Sequence, residues 1–335
     1  MQNRFWTIVL IVLVAPLPIG MWAAGRAMFF WWHGPIDPAT PIEVAAAGDP
    51  PLVEQAGMVR IASSHALVGS SNSSQLDRKP EHEVDLDAFW VDIRPVTNDQ
   101  FAQFVAATDY RTTAERRGSS LVFDLDRHEW LEVNGAQWDA PEGPLSTLAA
   151  RGDLPVVHVS WDDAVAYARW AGKRLLSEAE YEVAARGGLM ESTYAWGDQL
   201  HGSMPQANFW QGRFPQQDLG HDGFRGLAPV AQYPPNRFGL YDMAGNVWCW
   251  CHDWYAADYY FASPKQNPTG PLSGEARVLR GGSWLSTGGA GSELAVSARG
   301  HAPPHHTASN VGFRCASDRR PVQRTDFAAT GSTTR

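Results

Sequence analysis

Apolar positions recur at helical spacing in three stretches of the chain. Over residues 97–108, Phe101, Phe104 and Val105 share a face behind Thr97, which has the chemistry of an N-cap. Over 161–171, Ala164, Tyr167, Ala168 and Ala171 form a second stripe, with Ser160 as its cap and Gly172 as its stop. A third helix is predicted to begin at Ser177, where Ser-Glu-Ala-Glu has the spacing of a capping box. Tyr181, Val183 and Ala184 follow, and Gly187-Gly188 ends it. Short strands are predicted at 155–159, 246–250, 277–280 and 311–315. Most of the remaining chain is rich in Gly, Pro and Asn and is expected to be ordered loop. No internal repeat is visible.

The N-terminus follows a different pattern. Residues 7–24 form an apolar run preceded by Arg4 and the amino terminus as the positive charges. The run is close to the ~20 residues that span a bilayer. Phe29, Phe30, Trp31 and Trp32 resemble an interfacial aromatic belt. A cleaved leader needs small residues at −3 and −1 of the cut. Cutting after Ala24 puts Trp22 at −3, and cutting after Ala23 puts Met21 there. Residues 1–32 are therefore read as a signal anchor, with a cleaved signal peptide as the alternative. In both cases the following domain lies outside the cytoplasm. Residues 33–56, with five prolines, read as a linker, 57–320 as one domain and 321–335 as a flexible tail.

Composition narrows the function classes. Charged residues make up 19% of the 335 positions, with 15 Trp and 31 Gly, which suits loops pinned by aromatic anchors. A net charge of −9 and the absence of any basic run argue against nucleic acid as a partner.

Motifs then give a family. The segments FWVDIRPVTNDQFAQF (89–104), GAQWDAPEGP (135–144) and PVVHVSWDDAVAYARWAGKRLLSEAEYEVAARGGL (155–189) come first. YAWGD (194–198), ANFWQGRFP (207–215), DGFRGLAPV (222–230), PPNRFGLYDMAGNVW (234–248) and NPTGP (267–271) follow. RGGSWLSTGGAGSELAVSAR (280–299) and SNVGFRCASD (309–318) close the series. Together, and in this order, they resemble the formylglycine-generating enzymes, the sulfatase-modifying oxidases. The resemblance implies a single α+β, loop-rich domain related to the C-type lectin fold.

It also implies sites. In that family two cysteines, five residues apart after the RGGS-aromatic motif, bind copper and carry the chemistry. Counted forward they fall on Ser286 and Gly291, neither of which is a thiolate ligand. A family calcium site maps onto the Asn208 side chain, the Phe209 carbonyl, the Asp222 side chain and the Phe224 carbonyl, a hard oxygen set. A second would use Asp242 and the carbonyls of Gly245 and Val247, but Cys249 stands where the family has a glutamate. Arg299 matches a family arginine and is read as structural.

The cysteines leave alternatives open. Cys249 and Cys251, two apart on a strand, would face one side. With His252 they could form a soft-metal site or a redox pair. Cys315 could pair with Cys251 in an oxidising compartment, leaving Cys249 odd, or all three could be structural. Ser286 as a nucleophile would need a base, and His301, His305 and His306 lie downstream.

Three functions follow. The first is a sulfatase-activating oxidase, against which the two lost cysteines weigh. The second is an oxidoreductase of altered chemistry, with copper or another redox metal left undetermined, as in the pyoverdine-maturation or nitrite-reductase-associated branches. The third, preferred, is a binding or accessory domain with calcium as its cofactor, offering the family groove to a protein or peptide partner.

Overall fold

A computed structural model describes residues 57–202, 204–289 and 291–319. The apolar N-terminal run, the linker at 33–56 and the tail at 321–335 lie outside the described residues.

In chain order the strands are β1 (Met58–Ile61), β2 (Ser64–Val68), β3 (His82–Leu86) and β4 (Phe89–Asp92). Helices α1 (Asn98–Thr108) and α2 (Thr113–Arg117) precede the hairpin of β5 (Ser119–Asp124) and β6 (Glu129–Asn134). Then come α3 (Trp161–Trp170), β7 (Arg174–Leu175) and α4 (Glu178–Arg186). The C-terminal part holds β8 (Trp248–Trp254), β9 (Arg277–Arg280), β10 (Gly300–Ala302), β11 (Val311–Gly312) and β12 (Cys315–Ser317). Among the described residues no helix or strand is assigned between Arg186 and Trp248, so the chain is α+β and loop-rich.

Two four-stranded sheets organise the fold. One runs β1-β4-β12-β7 and the other β10-β9-β8-β11, in which β8 and β11 pair in parallel. Each of the four helices starts on a capping box, at Thr97, Thr112, Ser160 and Ser177. Such a box satisfies two otherwise orphaned helix-end donors at once.

All nine residues of α4 are buried, its charged ones included. Its Glu180 carboxylate pairs with Arg174 of β7, and those of Glu178 and Glu182 are tied to the second sheet and to a following loop. Arg280 donates to Glu182 Oε2 at 2.6 Å and to Glu178 Oε1 at 3.3 Å, and Arg299 Nε donates to Glu178 Oε1 at 2.7 Å. Burial alone would raise the Glu178 carboxyl, but Arg299 and Arg280 hold it below the usual range. Arg299 is thus a structural partner of α4.

One predicted strand is absent. Residues 155–159 are buried but run as loop, joined to Thr97 by a single bridge at Pro155. His158 has φ of +59°, a left-handed conformation that a strand cannot continue through. The predicted 277–280 strand forms with those bounds. The 311–315 strand divides into β11 and β12, and the 246–250 strand forms later and longer, as β8.

Candidate functional site

The candidate site is built on the turn that follows β9. Gly281 and Gly282 both have positive φ, and a β-carbon on Gly282 would lie 2.9 Å from the Glu293 carbonyl oxygen. Glycine is therefore required for the chain to double back here. The turn is stitched to its neighbours by backbone bonds: Gly245 N to Gly281 O at 2.9 Å, Trp284 N to Asn246 O at 3.0 Å and Trp210 N to Ser286 O at 3.0 Å.

Ser286 is 1% exposed. Its hydroxyl donates to Glu293 Oε2 at 2.6 Å and accepts from the Ser283 amide at 3.0 Å. Its base-like partner is thus a carboxylate. His301 instead stacks on Tyr255, with ring centroids 3.9 Å apart, and His306 closes a turn on the Pro303 carbonyl. Gly291 is exposed and has φ of +74°. A β-carbon there would approach Gln75 Nε2 and Ser74 Oγ, at 3.6 and 3.8 Å. The carbonyls of Gly291 and Ser292 are both held by the buried Arg78 guanidinium, each at 3.1 Å.

This loop borders a cavity of about 420 Å³. Gly291 lines it, whereas Ser286 sits behind Glu293, out of the lining. The walls include Trp130 from β6, Phe214 from the 207–215 loop and Trp248 from β8, with Ser283, Glu293 and Asn310 alongside. Asn310 Nδ2 donates to Ser283 Oγ at 3.1 Å. Neither Trp130 nor Phe214 was picked out as a site residue in the sequence. Both come from segments distant along the chain, and only the packing of both on Phe123, at 5.5 and 5.8 Å between centroids, places them together.

The first calcium set falls on two loops that meet. Asp222 receives the Phe209 amide on Oδ2 at 3.0 Å and the Phe224 amide on Oδ1 at 3.1 Å. The carboxylate is thereby drawn between the two residues whose carbonyls would join it. Asn208 Nδ2 donates to Gly226 O and to Asn246 Oδ1, at 2.7 and 3.1 Å, which orients its side-chain oxygen away from those partners. Asp222 is buried, and among the described residues it has no ion-pair partner. Burial raises its carboxyl above the usual range. A buried carboxylate without a matching cation is compatible with a divalent hard ion, which the Asn208 side chain and the Phe209 and Phe224 carbonyls would complete.

The second set fits less well. Burial also raises Asp242, which accepts the Ala231 amide at 2.7 Å. Cys249 Sγ lies 3.9 Å from Val247 O, pointed at a carbonyl that would have to ligate. A protonated thiol in that place supplies neither charge nor hard oxygen.

Strand alternation decides the cysteine cluster. Cys249 and Cys251 of β8 both face the core, while His252 is on the opposite, exposed side, 6.3 Å from the Trp161 ring. The three are therefore not brought together. Cys315 is buried in the other apolar cluster, and none of the three forms a disulfide. Burial pushes Cys251 and Cys315 well up and raises Cys249, so none is a ready thiolate.

Comparison with known proteins agrees with this architecture. Residues 45–319 match the family described as sulfatase-modifying factor enzyme 1-like domain. The chain is 45% identical over 301 residues to a formylglycine-generating enzyme of Streptomyces coelicolor, covering 84% of this chain and 96% of that protein. It is 41% identical over 278 residues to the inactive C-alpha-formylglycine-generating enzyme 2 of Mus musculus, covering 78% and 85%. Among solved structures, PvdO from Pseudomonas aeruginosa aligns with a TM-score of 0.60 at 25% identity, covering 78% of this chain and 94% of PvdO.

Proposed function

The chain belongs to the sulfatase-modifying factor enzyme 1-like family of formylglycine-generating enzymes, and from that premise we propose that it is a member without the copper and cysteine oxidase activity. In this reading it is an exported, membrane-anchored binding or accessory domain that offers its groove to a peptide or protein partner. The observation that carries the reading is the state of the two family cysteine positions. Ser286 presents a hydroxyl whose proton is committed to Glu293, and Gly291 presents no side chain at all. Copper in the reduced state prefers soft sulfur ligands, and neither position supplies one. The three cysteines the chain does have are buried in the apolar clusters, where burial pushes their thiols up, and none lines this groove. A relative named as an inactive enzyme, at 41% identity, is a precedent within the family.

Calcium, where bound, would be held by Asn208, Asp222 and the carbonyls of Phe209 and Phe224. It would supply charge compensation and tie the 207–215 loop to the 222–230 loop. The 207–215 loop also carries Phe214 of the groove, so this ion would rigidify one wall.

The test is turnover. The purified protein, supplied with copper(I), oxygen and a peptide carrying a sulfatase active-site cysteine, is expected to leave that cysteine unconverted by mass spectrometry. Multiple turnovers to formylglycine would overturn the reading.

A further inference from the structure

The groove beside Glu293 is electrostatically one-sided. Its three aromatic walls are Trp130 and Phe214, 42% and 41% exposed, and Trp248. Among the described residues that line it, Glu293 is the charged one, and no Lys, Arg or His takes part. Arg78 lies outside the lining; its guanidinium donates to the carbonyls of Gly291 and Ser292, and its charge reaches Glu293 without a direct ion pair.

The carboxylate is also fixed in place. Ser286 Oγ donates to its Oε2 at 2.6 Å, and the Ser283 amide holds that hydroxyl in turn at 3.0 Å. One carboxylate oxygen is thereby anchored to the protein, and the other keeps its lone pairs for a ligand. The buried serine at a family cysteine position thus acquires a role: it positions Glu293.

Aromatic faces are electron-rich and attract cations, indole most strongly. A carboxylate at the same opening adds a formal charge to that attraction. An anionic ligand would meet the Glu293 like charge with no cationic side chain in the lining to offset it. A neutral apolar ligand would use the walls and gain nothing from the Glu293 charge.

We infer that this groove binds a cationic side chain of the ammonium class, the lysine of a peptide partner, with Glu293 as its counter-charge and Ser286 as the residue that positions it. The inference rests on the binding-domain reading and specifies its ligand.

The experiment compares two peptides on the full-length protein in detergent, followed by tryptophan fluorescence: acetyl-Gly-Gly-Lys-Gly-Gly-amide and the same peptide with norleucine in place of lysine. Norleucine keeps the apolar stem and lacks the ammonium group. The lysine peptide is expected to bind about fivefold or more tightly, the size of one exposed cation–π contact. Its advantage should shrink at high salt. Glu293→Gln, at an exposed position, should reduce the lysine peptide to the norleucine affinity, and Ser286→Ala should do so in part. Trp130→Ala should weaken both peptides. Equal binding of the two peptides would overturn the cation preference while leaving a binding groove. A lysine advantage that survives Glu293→Gln would overturn the assignment of the counter-charge. Binding of neither peptide would overturn the inference, and the turnover test above would still decide the loss of oxidase activity separately.

Discussion

Ser286 Oγ is a hard oxygen that stays protonated at any pH the fold tolerates, and its proton already points at Glu293. A thiolate at that place would be soft, anionic and free to take copper. The difference is local, and the amino-acid sequence reveals it directly once the motif order is recognised. What the sequence does not reveal is that Ser286 lies behind the groove lining while Gly291 lies in it. That depends on the left-handed turn at Gly282, whose neighbour across the turn, Glu293, is far beyond local pattern reading. Asp222 makes a prediction at this same scale. Its carboxyl is raised by burial, so the charged form costs stability that protonation relieves as pH falls, and that a bound cation relieves at neutral pH. Added calcium should therefore raise the melting temperature of the wild type near pH 7. The increment should shrink as the pH is lowered and the carboxylate is lost. Asp222→Ala leaves the Phe209 and Phe224 amides without their acceptor, so it should melt below the calcium-loaded wild type and show no calcium response in differential scanning fluorimetry. An equal calcium response in the variant would remove this site.

Among the elements, α4 carries the most consequential contacts. It is a helix with no polar face to spare: Glu178 and Glu182 are buried against Arg280 of β9 and against Arg299. Removing one member of such a network leaves an uncompensated buried charge, which costs about 3–5 kcal/mol. Arg280→Met should lower the urea-unfolding free energy by that order, whereas a change under about 1 kcal/mol would be the value for an exposed pair. Three of the helices were legible because their capping boxes and stripes are local signals. Strand 155–159 was misread because its run of valines is interrupted by His158 in a left-handed conformation, which no side-chain pattern announces. The same alternation that makes Cys249 and Cys251 neighbours on one face of β8 turns His252 to the other. The spacing gave the first half of that result and obscured the second.

At the scale of the whole molecule, the described domain and the apolar run at 7–24 together define the proposal of an exported, anchored protein. After expression in its native membrane, the chain is expected to remain in the pellet through an alkaline carbonate wash, with its N-terminal segment intact by mass spectrometry. A soluble form beginning near residue 25 would replace the anchor with a cleaved leader. The fold and the family are secure because they rest on motifs spread over most of the chain and on two sheets joined by long-range pairing. The chemistry turns on a few atoms in one groove, and the metal content of the protein reports on it most directly. Purified protein, dialysed and analysed by plasma mass spectrometry, should contain about one calcium per chain, the yield of a single hard-oxygen site, and neither copper nor iron above background. Near-stoichiometric copper or iron would contradict the account and return the protein to the oxidoreductases.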